Sequence, residues 1–248
     1  MTQSHISFGG VDTVVCILFL VGCQTQEPRL PAYIGQVEGL SLKEGPHPES
    51  LPSAIHQVGV LVISDSFFPN AAPSLSSGMK DILENRLVKK MNESFGLKVL
   101  PVRIEHPVQP TGNGRLFTQL MKAHHLDFLL LALFSSREVE GHTEIGAESM
   151  MNRMSGIEIT NVALVELALL QGDSGNIALQ AEGTGSSSME QLAAPIGEDY
   201  PRKKDARDIL RANAAEKALD QALLMLQRQW SHSLVNGRSK TPGEVNDS

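Results

Sequence analysis

Between residues 57 and 230 the apolar positions change period several times, and each change marks an element. Residues 58–63 (VGVLVI) form a near-continuous apolar run, as in a strand covered on both faces. Leu75, Met79, Ile82, Leu83, Leu87, Met91 and Phe95 then recur at three- and four-residue spacing, which a helix gathers on one side. Ser74 or Ser76 is placed to cap that helix, and Gly96 stands where it should end. Residues 97–104 return to a strand pattern, with Pro101 pushing the strand to a sheet edge because proline donates nothing to a ladder. A Pro- and Gly-rich loop leads to a short helix over 115–125, with Leu116, Phe117, Leu120 and Met121 inward. Residues 127–134 (DFLLLALF) are the most apolar strand in the chain. Strands over 159–170 and 177–183 follow, joined by QGDSGN (171–176), a hairpin turn by composition. The second of them alternates, Ile177, Leu179 and Ala181 against Ala178, Gln180 and Glu182, so one face should meet water. Ala206, Ile209, Leu210, Ala214, Ala218, Leu219, Ala222, Leu223, Leu226 and Trp230 then trace a long amphipathic helix.

The expected order is β-α-β-α-β-β-β-α. It predicts one α/β (α+β) domain of three layers, with a mixed sheet of about five strands and about three helices. Parallel pairing through helical crossovers explains the first half, and an antiparallel extension the second. Residues 23–56 carry prolines at 28, 31, 46, 48 and 52, a density that breaks helix and ladder, and are expected to be a flexible tether. As a coil, the stretch would span ~30–35 Å. The apolar pieces Tyr33-Ile34 and Leu40–Leu42 are its candidates for docking. Residues 231–248 are polar and expected to be a disordered tail.

Composition narrows the partners. Of 248 residues, 41% are hydrophobic and only 4% aromatic, so aliphatic side chains must fill the core. The net charge of −7 argues against nucleic acid and against a polybasic grip on anionic lipid.

Residues 14–21 (VVCILFLV) are too short to cross ~30 Å of hydrocarbon but have the length of a signal-peptide core. Leu20-Val21-Gly22-Cys23 follows at once. This resembles the lipobox of bacterial lipoproteins, which implies removal of residues 1–22 between Gly22 and Cys23. It also implies fatty acids, palmitate among them, carried by Cys23 through its thiol. Cys16 would leave with the signal, and the mature chain would hold no free thiol. Gln24, being other than Asp, implies by the same resemblance the periplasmic face of the outer membrane. The alternative is a buried strand with two core cysteines.

"VGVLVISD", "FGLKVLPV", "HLDFLLLALF", "VALVELALLQGDSGNIALQAEG" and the Ala-rich "ANAAEKALDQALLMLQ", taken in order, look like a periplasmic domain shared by several envelope proteins. These are the curli-secretion lipoprotein family, the TolB amino-terminal domain and the lipoprotein activators of penicillin-binding proteins. The resemblance implies the fold already read from periodicity, and a role in binding or assembly. It does not carry pore formation, because the apolar membrane-spanning hairpin of the pore-forming members is missing.

Motifs for chemistry are few. Gly172-Asp173-Ser174-Gly175 copies the tetrapeptide around a trypsin-like nucleophile, but the fold is not all-β, and Asp and Gly suit the positive φ of a tight turn. Ser64-Asp65-Ser66 stands where the nucleophile of Gly-Asp-Ser-Leu lipases stands, without their glycine or their Asp-x-x-His block; the alternative has Asp65 or Ser66 satisfying backbone donors in the strand-to-helix loop. His124-His125 and His142-x-Glu144 are the hints of metal ligands; adjacent helical histidines diverge by about 100°, so no metal site and no cofactor is expected. Gly112-Asn113-Gly114 offers amides that an anion could use, or a plain loop. Glu166 interrupts an apolar strand, expected on a solvated face or paired with an arginine, and Arg202-Lys203-Lys204 reads as a solvated helix approach. Residues 135–158 form a long connection in which Met150, Met151 and Met154 offer an adaptable contact for a protein partner. The expectation is a lipid-anchored, non-catalytic envelope protein that binds another protein. The alternatives are a serine hydrolase using Ser66 or Ser174, and a subunit of a ring-forming secretion complex.

Overall fold

The computed structural model describes residues 28–35, 57–67, 71, 75–104, 107–145, 154–172, 175–192 and 200–238. Gly22, Cys23, most of the expected tether, Met150, Met151, Asp173, Ser174 and the last ten residues lie outside the described residues. The elements are α1 (Leu30–Ile34), β1 (Val58–Ser64), α2 (Ser77–Phe95), β2 (Val99–Pro101), α3 (Gly114–Ala123), β3 (Phe128–Ile145), β4 (Met154–Gln171), β5 (Ile177–Leu192) and α4 (Tyr200–Arg238). The five strands lie in the order β2-β1-β3-β4-β5. β1 pairs in parallel with β2 and β3, each reached by a helical crossover, and the pairs β3–β4 and β4–β5 are antiparallel. This is the expected α+β domain with a mixed sheet.

Helices cover both faces. Leu130, Ala132 and Phe134 of β3 join Leu83, Leu87 and Met91 of α2 and Ala218, Leu219 and Leu226 of α4 in one core. Leu129, Leu131 and Leu133, the alternate residues, join Leu30, Tyr33, Phe117 and Met121 of α1 and α3 in the other. A strand buried on both sides needs no alternation, which is why 127–134 reads as unbroken apolar sequence. Ser76 caps α2 through a bond from the Met79 N–H, and Gly96 closes it in the left-handed region at φ 65°.

The structure departs from the sequence pattern in five places. Residues 30–34, expected within the tether, form the docked helix α1; Leu30 and Tyr33 are wholly buried. The stretch 135–158 is mostly strand, because the β3–β4 ladder continues from Ser135 opposite Leu164 to Ile145 opposite Met154. Its charged positions hid the pairing: Glu138 and Glu140 face α4 and bind Arg207 and Arg211 there. β5 runs on to Leu192 and α4 to Arg238, so residues 231–238 of the expected tail are helical. β2 keeps only three of the eight residues expected for it. Ile82 and Ile209, placed inward by spacing, are exposed, since α2 and α4 turn Leu83 and Leu210 to the sheet instead.

Gly183 and Gly185 let α4 settle against β5. A Cβ on Gly183 would lie 2.2 Å from the Ala218 carbonyl oxygen and 2.4 Å from the Ala222 nitrogen. Both are backbone atoms of a helix pinned by the core, so neither can give way. Gly183→Ala is therefore expected to destabilise the domain by about 2–3 kcal/mol, read as a lowered urea midpoint. An unchanged midpoint would mean that α4 can shift.

Candidate functional site

Two carboxylates are buried on the α1 side of the sheet: Glu166 in β4, 1% exposed, and Asp65 just past β1, 2% exposed. The register sets Ile63 opposite Leu133 and Leu133 opposite Glu166, so both acids sit near the C-terminal ends of the parallel strands. β1 leaves for β2 through α2 on one face, and β2 returns to β3 through α3 on the other. The gap between β1 and β3 is thus a topological switch point, where open α/β sheets hold ligands.

Here the occupant is the chain itself. Glu166 accepts hydrogen bonds from the backbone N–H groups of Arg29 (2.8 Å) and Leu30 (3.0 and 3.2 Å). Arg29 gives α1 no side-chain cap, so a carboxylate two strands away receives the amides that open the helix. Asp65 takes the Arg29 guanidinium on one oxygen and the Tyr33 hydroxyl (2.7 Å) on the other. Ser135 Oγ (3.4 Å) and the Phe67 N–H (3.1 Å) donate to the same carboxylate. Unpaired, either buried acid would cost several kcal/mol; both are paired by residues 29–33.

The far end of α1 is tied as well. Gly112 N–H donates to the Ala32 carbonyl (3.1 Å) and Asn113 N–H to that of Tyr33 (2.7 Å), with Asn113 Nδ2 reaching the same oxygen (3.1 Å). The amides of the Gly112-Asn113-Gly114 loop thus serve α1 rather than an anion. Gly35 and Gly112 pass so closely that a Cβ on Gly35 would lie 2.7 Å from the Gly112 Cα.

Burial pushes the Glu166 carboxyl above its ordinary value of 4.5, and the exposed Glu182 opposite it on β5 adds to the push; the Arg29 and Leu30 amides pull it back. Burial, and then the bond to Asp65, hold the Tyr33 phenol well above its ordinary range. Ser66 is exposed, and Asp65 beside it points inward. His124 and His125 end α3 beside Gln57, at the start of β1 and so at the opposite end of the strands from Ser66. His142 and Glu144 lie in β3, and Met154 opens β4. Among the described residues no group of His, Cys, Asp and Glu is placed to hold a metal, and no helix is long and apolar enough to cross a membrane.

The sequence pattern pointed to Glu166 and to the Tyr33-Ile34 piece but missed Arg29 and Asp65 as partners. The available signal was the spacing of Leu30, Tyr33 and Ile34, one helical turn of apolar side chains between Pro28 and Gly35.

No protein-family model matches the chain, and no curated protein matches it. Among solved structures, it is similar to the protein CT253 of Chlamydia trachomatis (14% identity, 70% of this chain and 96% of that one, TM-score 0.35). Two bacterial lipoproteins are further examples. The minor lipoprotein of Acinetobacter baumannii is 8% identical over 72% of this chain and 96% of its own, with a TM-score of 0.33. Lipoprotein GNA1162 of Neisseria meningitidis is 10% identical over 75% and 99%, with a TM-score of 0.25. Likenesses this distant carry no inference about what the present chain does.

Two outcomes are expected of the site. Because the folded carboxyl of Glu166 titrates above its unfolded value, its contribution to stability is present below the ordinary glutamate value and lost as pH rises through the raised one. The stability of Glu166→Gln relative to the unaltered chain should therefore climb from pH 4.5 upward, seen in paired urea titrations across that range. A flat difference would mean that the amide bonds fully offset burial. Asp65→Ala, which takes the carboxylate from the Arg29 guanidinium and the Tyr33 hydroxyl, should cost about 3–5 kcal/mol and speed hydrogen exchange across residues 29–35.

Proposed function

We propose that the chain is a lipid-anchored envelope protein whose domain binds another protein and performs no chemistry. The anchor is Cys23, freed by cleavage after Gly22, with Gln24 favouring the periplasmic face of the outer membrane. The observation that carries the reading is the seat of Arg29 and Leu30 between two buried carboxylates. Arg29 follows Cys23 by six residues, which extended span at most about 20–22 Å. The leash from lipid to domain is thus six residues rather than the whole of 23–56. With such a clamp an anchored binding domain gains a fixed height above the bilayer. The methionines at 150, 151 and 154, which lie in the sequence between β3 and the start of β4, are the contact proposed for the partner.

The test uses the acylated full chain in native membranes, with a specific protease site placed within residues 40–51. After cleavage the domain should stay with the membranes, because Leu30, Tyr33 and Ile34 each contribute about 2 kcal/mol of apolar burial to holding the severed lipopeptide. Asp65→Ala combined with Glu166→Ala should release it. Release from the unaltered clamp would remove the short leash, and intact mass showing an unmodified sulfur at Cys23 would remove the anchor.

A further inference from the structure

β2 is too short to cover its neighbour. Pairing between β1 and β2 stops at Val60 opposite Pro101, and the Val102 N–H closes on the Val60 carbonyl (2.7 Å). β1 runs on from Leu61 to Ser64, a further ~13 Å of strand, with β3 on one side and, among the described residues, no strand on the other. A parallel ladder directs successive residues to opposite neighbours. Odd positions serve β3, as when Asp65 N–H donates to the Phe134 carbonyl (2.8 Å) and the Gln57 carbonyl accepts from Phe128 (3.4 Å). Even positions serve β2, as when Val58 N–H donates to the Lys98 carbonyl (3.1 Å). The amide and carbonyl of Val62 therefore point away from β3, into a cleft of about 370 Å³.

The two walls of that cleft differ. Leu61, Ile63, Val102 and Ile104 line it on the α3 side. Lys80, Asp81, Glu84 and Arg103 line it on the α2 side, where Arg103 reaches Asp81 (3.2 Å) and Glu84 (3.8 Å). Arg103 is the ion-pair partner of both acids, and Lys80 has none among the described residues.

We infer that this open edge binds an extended segment of a partner protein, which adds about three residues of parallel strand beside β1. The Val62 N–H and carbonyl supply its backbone bonds. Its side chains alternate, one apolar against Leu61, Ile63 and Ile104, the next acidic towards Lys80. The inference deepens the protein-binding reading above by naming the chemistry of one contact. A partner found to bind only elsewhere would spare that reading and end this one.

The test is hydrogen exchange at single-residue resolution on the full chain in detergent, with the capped peptide Val-Glu-Val-Glu-Val as probe. Without probe the Val62 amide should exchange at least about tenfold faster than that of Ile63, which is bonded to β3. At about 5 mM probe the Val62 amide should slow, and the same peptide N-methylated along its backbone should leave it fast. Lys80→Glu should weaken the Glu probe about fivefold and strengthen Val-Lys-Val-Lys-Val to match, an inversion that a merely structural lysine would not produce. A Val62 amide already as slow as that of Ile63, or one unmoved by the probe, overturns the inference.

Discussion

The structure depends on one buried carboxylate. Asp65 ends β1 inside the protein, and an uncompensated negative charge there would be intolerable. Its partners, the Arg29 guanidinium and the Tyr33 hydroxyl, come from a segment that belongs to no strand. Without that segment the α1 face of the sheet would expose Leu131 and Leu133 and leave Asp65 and Glu166 unmatched. Such a pairing adds little net stability over an apolar replacement, yet losing one partner is expensive. Its effect is to dictate position. The N-terminal segment has one place to go, and both its ends are tied there.

That constraint alters what the fold offers. A switch point between β1 and β3 is where a domain of this topology would hold a small ligand, and here a turn of helix fills it. Among the described residues, what remains open is the neighbouring edge, where β2 gives out after three residues and β1 continues with only β3 beside it. The same end of the strands thus carries a closed crevice and an open slot. The first fixes the chain to its proposed anchor, and the second exposes backbone to solvent. Edge strands left bare invite pairing, and proteins usually cover them. On β5, at the opposite edge, α4 does so: Gln221 receives the Thr184 N–H (2.8 Å) and Lys217 reaches the Ser186 carbonyl (2.9 Å). Among the described residues β1 has no comparable cover beyond Val60.

Much of this architecture was legible in the linear pattern. The unbroken apolar runs of β1 and β3, the stripe of α2, the QGDSGN turn with Gly175 at φ 70°, and the alanines of α4 each announced their element through local physics. Errors gathered where long-range pairing overrides local character. Residues 135–145 look like loop because their charges are polar in isolation, but α4 brings Arg207 and Arg211 to meet them. Residues 28–35 look like tether because prolines flank them, but two carboxylates far along the chain turn one apolar turn into a fixed part of the core.

The sequence by itself determined the class of fold, the order of its strands and helices from β1 to α4, and the oddity of an acid at position 166, since periodicity and turn chemistry act over a few residues. Only the tertiary structure decided that Glu166 and Asp65 share one short segment, that β2 stops early, and that α4 presses against Gly183. Those facts follow from which buried charges must be neutralised and which backbones can approach, and such demands arise only after distant residues are brought together.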